Sequence, residues 1–425
     1  MFARHHVLLI LVFSIVTIFS VVFVAEAQQP KTCPMVVADS LTALGTNCAN
    51  LDRNTTCYGH ETVQHTAFTD TQTYDQPGTR VGLPLTETIQ TGPFDLASEK
   101  WGLNVMSVDA NLPYALQPKR LVYIQFGGVE VENGVPASDA VQLLKTGITT
   151  TTTSQTNLLT WPAPSIVGHA SNVITSVPAG SSVSLDAINP AGDSVRAVFQ
   201  NQVGWVLKSA IDPSADLSSL VTIGPDSMTP MQSFYFRTGI EDTPCAQAPS
   251  LLYIQAPNNI PVDIKVFQKP VRIESTIIFR SLPPGPQLGN QLEIIVLSGL
   301  GVLNPDSPNQ ILVPPGFKAV IGVCNPLTSL GTEGDADEKA TCGEWSQPVP
   351  LTQDELNGFC KPTEGLPDNS ENYPIVCPTI VNASGVGQVI SQLTFPPGSH
   401  ALDEAIKACA AKELPADICA YLGIS

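Results

Sequence analysis

The clearest strand signal in the chain is the stretch RLVYIQFGGVEVEN, residues 120–133. It consists of an apolar run, a pair of glycines and a second short run rich in valine. This pattern predicts a buried strand, a turn at glycine and another strand. The preceding segment WGLNVMSVDANLP, residues 101–113, predicts one more strand that stops at a proline.

The same pattern recurs later in the chain. Residues 105–133 align without a gap on residues 276–304, and Gly128 then falls on Gly299. The alignment indicates either a true duplication or the generic likeness of two hairpins with proline turns. A duplication predicts that both segments occupy equivalent places in similar β units, with the two glycines at the same turn.

Composition supports a mainly β protein. Charged residues are 14% of the 425 residues, and 37 prolines and 31 glycines accompany many Val, Ile and Thr in short alternating runs. This composition is typical of a turn-rich extracellular protein rather than a disordered one. The formal net charge of −18 disfavours phosphate backbones and anionic lipid, so we expect no nucleic-acid partner.

The N-terminus predicts secretion. Arg4, His5 and His6 precede an apolar run that ends in Ala25-Glu26-Ala27, which fits a signal peptide cleaved before Gln28. The alternative is an uncleaved anchor, because the run is long enough to span a bilayer. We expect an extracellular or cell-envelope protein with no membrane span after signal cleavage.

Ten cysteines follow the predicted cleavage site. An even number in an oxidising compartment favours disulfides. A metal site would require short paired spacings such as C-x-x-C, which the chain lacks, so we expect no metal and no cofactor. The predicted disulfide cysteines are Cys33, Cys48, Cys57, Cys245, Cys324, Cys342, Cys360, Cys377, Cys409 and Cys419.

Parity constrains how these cysteines pair. The first group has three members and the C-terminal group, from Cys324 onward, has six, so Cys245 is the simplest partner for one of the first three. We expect Cys409 and Cys419 to pair locally, and the other four C-terminal cysteines to pair among themselves. Residues 35–47 predict a short amphipathic helix pinned by disulfides.

Residues 157–211 contain short β elements separated by turn residues. In order they are Asn157-Leu158, Val173-Ile174, Val177-Pro178-Ala179-Gly180, the strand Val195–Phe199 and Gly204-Trp205-Val206. This order resembles a bacterial SH3-like domain, which implies a small five-stranded barrel. The resemblance departs at its start, where Leu159-Thr160-Trp161-Pro162 stands in place of Arg-Ser-Gly-Pro.

Two tryptophans of this region have different expected roles. The strand 195–199 alternates toward the barrel interior, and we expect Gly204 to allow a turn that delivers Trp205 against it. Gly204 and Trp205 are therefore interpreted as structural, with a ligand platform as the alternative for Trp205. Trp161, between a threonine and a proline, is the candidate ligand-binding residue.

Two wider resemblances extend this picture. Residues 271–323, with LEIIVLSGLGVLN followed by VPPGFKAVI, resemble the β-strand domain of FecR-type periplasmic sensors. Only six residues precede Val7, so the sigma-factor-binding segment of such sensors is missing and their function is not expected. Residues 32–374 resemble a group of uncharacterised secreted bacterial proteins that contain an SH3-like domain, a likeness that brings no known substrate.

The predicted architecture is mainly β, with a central SH3-like small barrel flanked by two β-sandwich-like units, a short N-terminal helix and a cysteine-rich C-terminal tail with a terminal helix. The predicted regions are a signal peptide at 1–27, the helix and first β unit at 28–145, the SH3-like domain at 146–213, the second β unit at 214–330 and the tail at 331–425.

Enzyme signatures are weak in this chain. HETVQH, from His60 to His65, approaches the H-E-x-x-H zinc signature, but two histidines five residues apart cannot share one helical face. There is no G-x-S-x-G elbow and no phosphate-binding P-loop, and Asp335 and Asp337 lie in an acidic loop where solvated charge is expected. No catalytic residue is therefore assigned.

Two functions follow. We expect a non-enzymatic binding or scaffold protein that uses the SH3-like module, with cell-wall glycan or peptide, or an envelope protein, as its partner. The alternative is a cell-wall glycan hydrolase whose carboxylates meet only in the fold, about 5 to 9.5 Å apart in a cleft.

Overall fold

The computed structural model describes residues 31–69, 73–110, 119–144, 146–162, 173–224, 226–239, 245–256, 261–274, 276–282, 291–323, 341–360, 406–412 and 419. The predicted signal peptide, Asp335 and Asp337 lie outside these ranges. Within them, no helix has the length and apolar character needed to cross a membrane.

The described residues confirm a mainly β protein with short helices. The helices are α1 Cys33–Asn47 and α2 Gln353–Cys360, with 3-10 turns at Leu83–Leu85 and Lys208–Ala210, and residues 406–410 of the predicted terminal helix are helical. The strands are β1 Thr55–His60, β2 Val63–Ala67, β3 Arg80–Gly82, β4 Thr86–Thr91, β5 Leu103–Ala110, β6 Lys119–Phe126, β7 Val129–Asn133, β8 Ile148–Thr151, β9 Thr156–Leu159, β10 Val173–Val177, β11 Ser182–Ile188, β12 Ser194–Phe199, β13 Gln202–Leu207, β14 Val221–Thr222, β15 Ser233–Thr238, β16 Leu251–Gln255, β17 Val262–Val266, β18 Lys269–Ile273, β19 Thr276–Leu282, β20 Gln291–Ser298, β21 Gly301–Leu303, β22 Ile311–Val313, β23 Phe317–Val323, β24 Thr341–Cys342 and β25 Val349–Pro350.

These strands form three sheets. Sheet 1 has the order β24-β23-β20-β19-β16-β6-β5-β1-β3, with β25 beside β23. Sheet 2 has the order β2-β4-β7-β15-β17-β18-β21-β22. Sheet 3 has the order β10-β9-β13-β12-β11-β14, with β8 beside β11, and all its strands come from the chain between β7 and β15.

Sheets 1 and 2 share one core, which runs between them, and both predicted β units contribute strands to both sheets. The two predicted β-sandwich-like units are thus combined in one pair of sheets. In sheet 1, β16 pairs with β6 on one side and with β19 on the other, so it joins the two units edge to edge. The physical reason is that neither unit then leaves an unpaired strand edge at the junction.

The opening stretch shows why its two strands differ in composition. Leu121 and Tyr123 of β6 face the core between the sheets, while Val122 and Ile124 face a second core that α1 and α2 cover. A strand buried on both faces needs a continuous apolar run. In strand β7, Val129 and Val131 pack in the core between the sheets, and Glu130 and Glu132 lie on the opposite face.

The repeat has the same order of strands in both copies. Strands β5 and β6 pair in sheet 1 before the chain crosses to β7 in sheet 2, and β19, β20 and β21 follow the same route. The predicted equivalence of Gly128 and Gly299 is off by one residue, because Gly127 and Gly299 have the matching φ of 71°. The strand pairing is also shifted relative to the gapless alignment. Ile124 lies opposite Val105, whereas Ile295, the residue aligned with Ile124, lies opposite Ile278 rather than opposite the residue aligned with Val105. A shift of two residues keeps every side chain on its original face.

Disulfides hold α1 at both ends. Cys33, its first residue, is bonded to Cys245, and Cys48, just after its end, is bonded to Cys57 on β1. The parity argument for Cys245 is thus confirmed, as is the local Cys409–Cys419 pair. The remaining predicted bridges, among Cys324, Cys342, Cys360 and Cys377, fall outside the side chains that the structure describes.

We predict that the long bridge contributes more stability than the short one. The chain-entropy model gives about 5 kcal/mol for Cys33–Cys245 and about 2.7 kcal/mol for Cys48–Cys57, because a longer loop is closed in the unfolded chain. Denaturant unfolding of the Cys33→Ser/Cys245→Ser and Cys48→Ser/Cys57→Ser variants measures both losses. Equal losses, or a larger loss for the short bridge, would contradict the prediction.

Candidate functional site

Sheet 3 has its own apolar core. Strands β12 and β13 form its central hairpin, and Val195 and Ala197 point into this core with Phe199 packed against it. The other core residues are Leu158, Val177, Val183, Leu185, Val206, Ile211 and Leu220. An independent core is what allows a region inserted between two strands to hold its shape.

Trp205 is fully buried, but not in that core. It lies in a separate cluster with Val141, Ala187 and Ile223, on the other face of β13. Val141 precedes sheet 3 in the chain and Ile223 follows it, so the indole packs against both segments that lead into and out of the insertion. The expectation that Trp205 packs against the interior reached by Val195 and Ala197 is therefore corrected.

Gly204 is not at a turn. It lies within β13 opposite Ala197, and a Cβ on it would come within 2.6 Å of Leu158 and 2.7 Å of the Leu159 carbonyl oxygen. The turn is formed instead by Gln200 and Asn201, with φ of 50° and 62°. A type I′ two-residue hairpin turn requires left-handed conformations at both central positions, whereas Gly204 permits the close approach of β9.

Trp161 follows β9 and is exposed, with 42% of its surface accessible. The other three tryptophans of the chain, Trp101, Trp205 and Trp345, are buried. The adjacent backbone is held in place, because the Ser194 hydroxyl donates to the carbonyl of Pro162 at 3.2 Å. An accessible indole thus lies just after β9, beside sheet 3 and next to an anchored residue.

Buried charges connect sheet 3 to the sandwich. On the sandwich side, Arg53 Nε lies 3.0 Å from the buried carboxylate of Asp109. On the sheet 3 side, the fully buried Arg196 lies 3.7 Å from Asp186. Burial raises the pKa of both aspartates, and Arg53 opposes that rise at each of them. Because Arg53 acts on both carboxylates, it lies at the junction of the two regions.

A pocket of about 640 Å³ lies at one end of sheet 2. It borders the places where the chain crosses between the sheets, and its lining is Thr62, Val63, Gln64, Gln90, Thr91, Gly92, Pro93, Gly128, Val129, Glu130, Arg237, Thr238, Gly239 and Ser250. Sheet 3 joins β7 and β15 at their opposite ends. The volume is within the range of small-molecule sites, about 300 to 1,000 Å³.

A row of four polar side chains crosses the floor of this pocket. Gln64 lies directly opposite Gln90, Gln90 opposite Glu130, and Glu130 opposite Arg237. Residues directly opposite each other in adjacent strands have Cβ atoms about 5 Å apart and point to the same face. We call these four residues the polar row.

An ion pair anchors the polar row. Glu130 is almost fully buried, and Arg237 donates to its Oε2 from Nε at 2.8 Å and from Nη2 at 2.5 Å, while 39% of the arginine side chain stays exposed. Several hydroxyls nearby are engaged by the backbone, since the Gly128 amide donates to Ser250 at 2.9 Å and the Ser281 amide donates to Thr238 at 2.8 Å. These bonds fix the pocket wall.

The histidines of HETVQH lie on two successive strands that belong to different sheets. His60 ends β1 and its Nδ1 lies 3.0 Å from the Trp101 carbonyl oxygen, while His65 on β2 contacts the hydroxyl of Thr86 at 3.2 Å and the ring of Tyr74. Both rings have structural contacts. Across the described residues, no group of three or more His, Cys, Asp or Glu side chains is arranged to hold a metal ion. His169 and His400 lie outside the described residues.

Sequence reasoning missed the polar row. In the sequence, Gln64 is one residue of HETVQH and Glu130 one residue of a predicted strand, and neither carries a motif of its own. The alternation of VEVEN does indicate outward glutamates. No sequence feature near Arg237 indicates its pairing with Glu130, which is 107 residues away in the chain.

Comparisons with known proteins found few matches to this chain. No family model matches the chain, and no curated protein matches it. Among solved structures, the chain is similar to the structure of NlpC2 from Trichomonas vaginalis at 12% sequence identity and a TM-score of 0.15, over 39% of this chain and 49% of that one. The matched part thus covers about half of that protein, and such a TM-score does not show a shared fold. The SH3-like and FecR-like resemblances stay predictions.

We predict that the two tryptophans of sheet 3 differ in their effect on stability. Trp205→Ala leaves a cavity in a buried cluster and should lower the free energy of unfolding by about 3 to 5 kcal/mol. Trp161→Ala should change it by no more than about 0.5 kcal/mol, because its indole is accessible. Denaturant unfolding followed by circular dichroism measures both, with Trp205→Phe as an intermediate case. Similar losses for the two alanine variants would contradict the assignment.

We predict that His65 makes stability depend on pH. Burial lowers its pKa below the ordinary value of 6.5, so the unfolded chain binds the proton more readily than the folded one. Stability is therefore fully present above pH 6.5 and falls as the pH drops below it toward the folded pKa. Neither His65→Gln nor His65→Phe can ionise, so each should show a shallower fall in melting temperature between pH 7.5 and 5 than the wild type. Parallel curves would rule this out.

Proposed function

We propose that the protein is a secreted or envelope-associated, non-enzymatic binding protein that attaches to cell-wall glycan or peptide through sheet 3. The observation that carries the proposal is the exposure of Trp161, since the three other tryptophans of the chain are buried. A large accessible aromatic ring can stack on the apolar face of a sugar ring or on a peptide side chain. The SH3-like resemblance of residues 157–211 supports the same role for this region.

The compartment fits this proposal. Three disulfides among the described cysteines are consistent with an oxidising, extracellular environment. The net charge of −18 disfavours strongly anionic polymers, so the partner is an uncharged part of the wall, such as glycan hydroxyls or peptide amides.

The hydrolase alternative has less support. Of the two carboxylates that glycoside hydrolysis requires, the pocket lining supplies Glu130 alone, and this carboxylate is held by Arg237. Glu132 lies two residues along the same face of β7 and does not line the pocket. The pair needed to protonate a leaving group and stabilise the sugar cation is therefore not present in this pocket.

Co-sedimentation with purified cell-wall sacculi tests the proposed function. Wild-type protein should sediment with sacculi, and Trp161→Ala should weaken retention about tenfold or more, as expected when a central tryptophan contact is lost. Trp161→Phe should keep part of the binding.

Leu207→Ala is the matched control, because Leu207 is another exposed apolar residue of sheet 3 and is 47% accessible. An equal loss in this variant would indicate non-specific apolar adsorption. Wild-type protein that stays in the supernatant at moderate salt would refute the proposal.

A further inference from the structure

We propose that the pocket at the end of sheet 2 is a second binding site, which takes a neutral sugar of one or two rings. The site is separate from Trp161, because it lies on the sandwich, at the ends of β7 and β15 away from the insertion. The inference does not depend on the attachment role of sheet 3.

The polar row supplies the hydrogen-bonding groups that a sugar requires. The side-chain amides of Gln64 and Gln90 are neighbours across β2 and β4, and within the described part of the chain neither has a hydrogen-bond partner. Each amide offers both donors and an acceptor, which matches adjacent hydroxyl groups that both donate and accept. Two such amides side by side can bind a diol at two points.

Charge favours a neutral ligand over an anion. Within the lining, the positive charge of Arg237 is balanced by Glu130, so the pocket itself has no net charge. The chain as a whole carries −18 and repels anions. The guanidinium still contributes, because its exposed part can donate to a sugar oxygen while the carboxylate holds it in place.

The pocket is kept open by small residues. An added Cβ on Gly128 would meet Ser250 Oγ at 3.5 Å and Pro93 at 3.6 Å, both of which line the pocket. These are ordinary van der Waals distances, so a side chain at this position fits without collision beside two residues of the pocket lining. A glycine here leaves room for a ligand that a larger residue would fill.

Isothermal titration calorimetry on the full chain tests the site, with D-glucose and N-acetylglucosamine as neutral probes and D-glucuronate as the anionic counterpart. At least one neutral sugar should bind with a Kd of about 10 mM or tighter, and more tightly than glucuronate.

Two variants examine the site: Gln64→Ala/Gln90→Ala removes the amides, and Gly128→Val fills the cavity. Each should weaken binding about tenfold. Arg237 is not substituted, since its loss would leave Glu130 buried without its counter-ion.

Two controls separate this site from sheet 3. Gln202→Ala removes an exposed amide from β13, and Trp161→Ala removes the indole; both should leave sugar affinity unchanged. The proposal would be overturned if neither neutral sugar bound at concentrations up to about 10 mM. It would also be overturned if both pocket variants were folded by circular dichroism and kept the affinity of the wild type. Tighter binding of glucuronate would assign the pocket to anions instead and equally overturn it.

Discussion

The burial of sheet 1 on both faces is the constraint on which the rest of the structure depends. One face packs on sheet 2 and the other on α1 and α2, so sheet 1 has no face to present to water. Burial of the second face requires that the helices stay packed on it. Disulfides at both ends of α1 help to fix that helix in place. At α2, Lys318 lies 3.3 Å from the buried Glu293 and also contacts Glu355 on the helix. Among the described residues, sheet 2, the loops at the ends of the strands and sheet 3 therefore offer the accessible β surfaces.

Local sequence predicts local features of this protein well. The apolar run of residues 121–124 corresponds to a strand buried on both faces. The spacing of Val36, Val37, Leu41 and Leu44 corresponds to a helix with one buried face. Parity also identified the partner group of Cys245 without knowledge of the fold. In each case the prediction rests on a few neighbouring residues or on the number of cysteines in a group.

Features that depend on distant partners could not be predicted. The two β units share sheet 1 because β16 pairs with β6 and with β19. No local sequence pattern specifies this pairing. Gly204-Trp205 was associated with a turn, yet it lies within a strand, because the turn uses Gln200 and Asn201 rather than glycine. The same limit applies to the candidate sites. Exposure of Trp161 could be anticipated from its neighbours, whereas the polar row exists only because four strands align.

The place at which sheet 3 is inserted has a consequence for folding kinetics. Phe234 on β15 pairs with Asn133 on β7, so two strands that are direct neighbours are separated by the whole insertion in sequence. Closing such a loop in an unstructured chain is entropically costly and slow. Once sheet 3 has formed, the pairing of Ala140 with Met228 brings the ends of the insertion together. The contact between β7 and β15 is then effectively local, so we expect these two strands to pair after sheet 3 has formed.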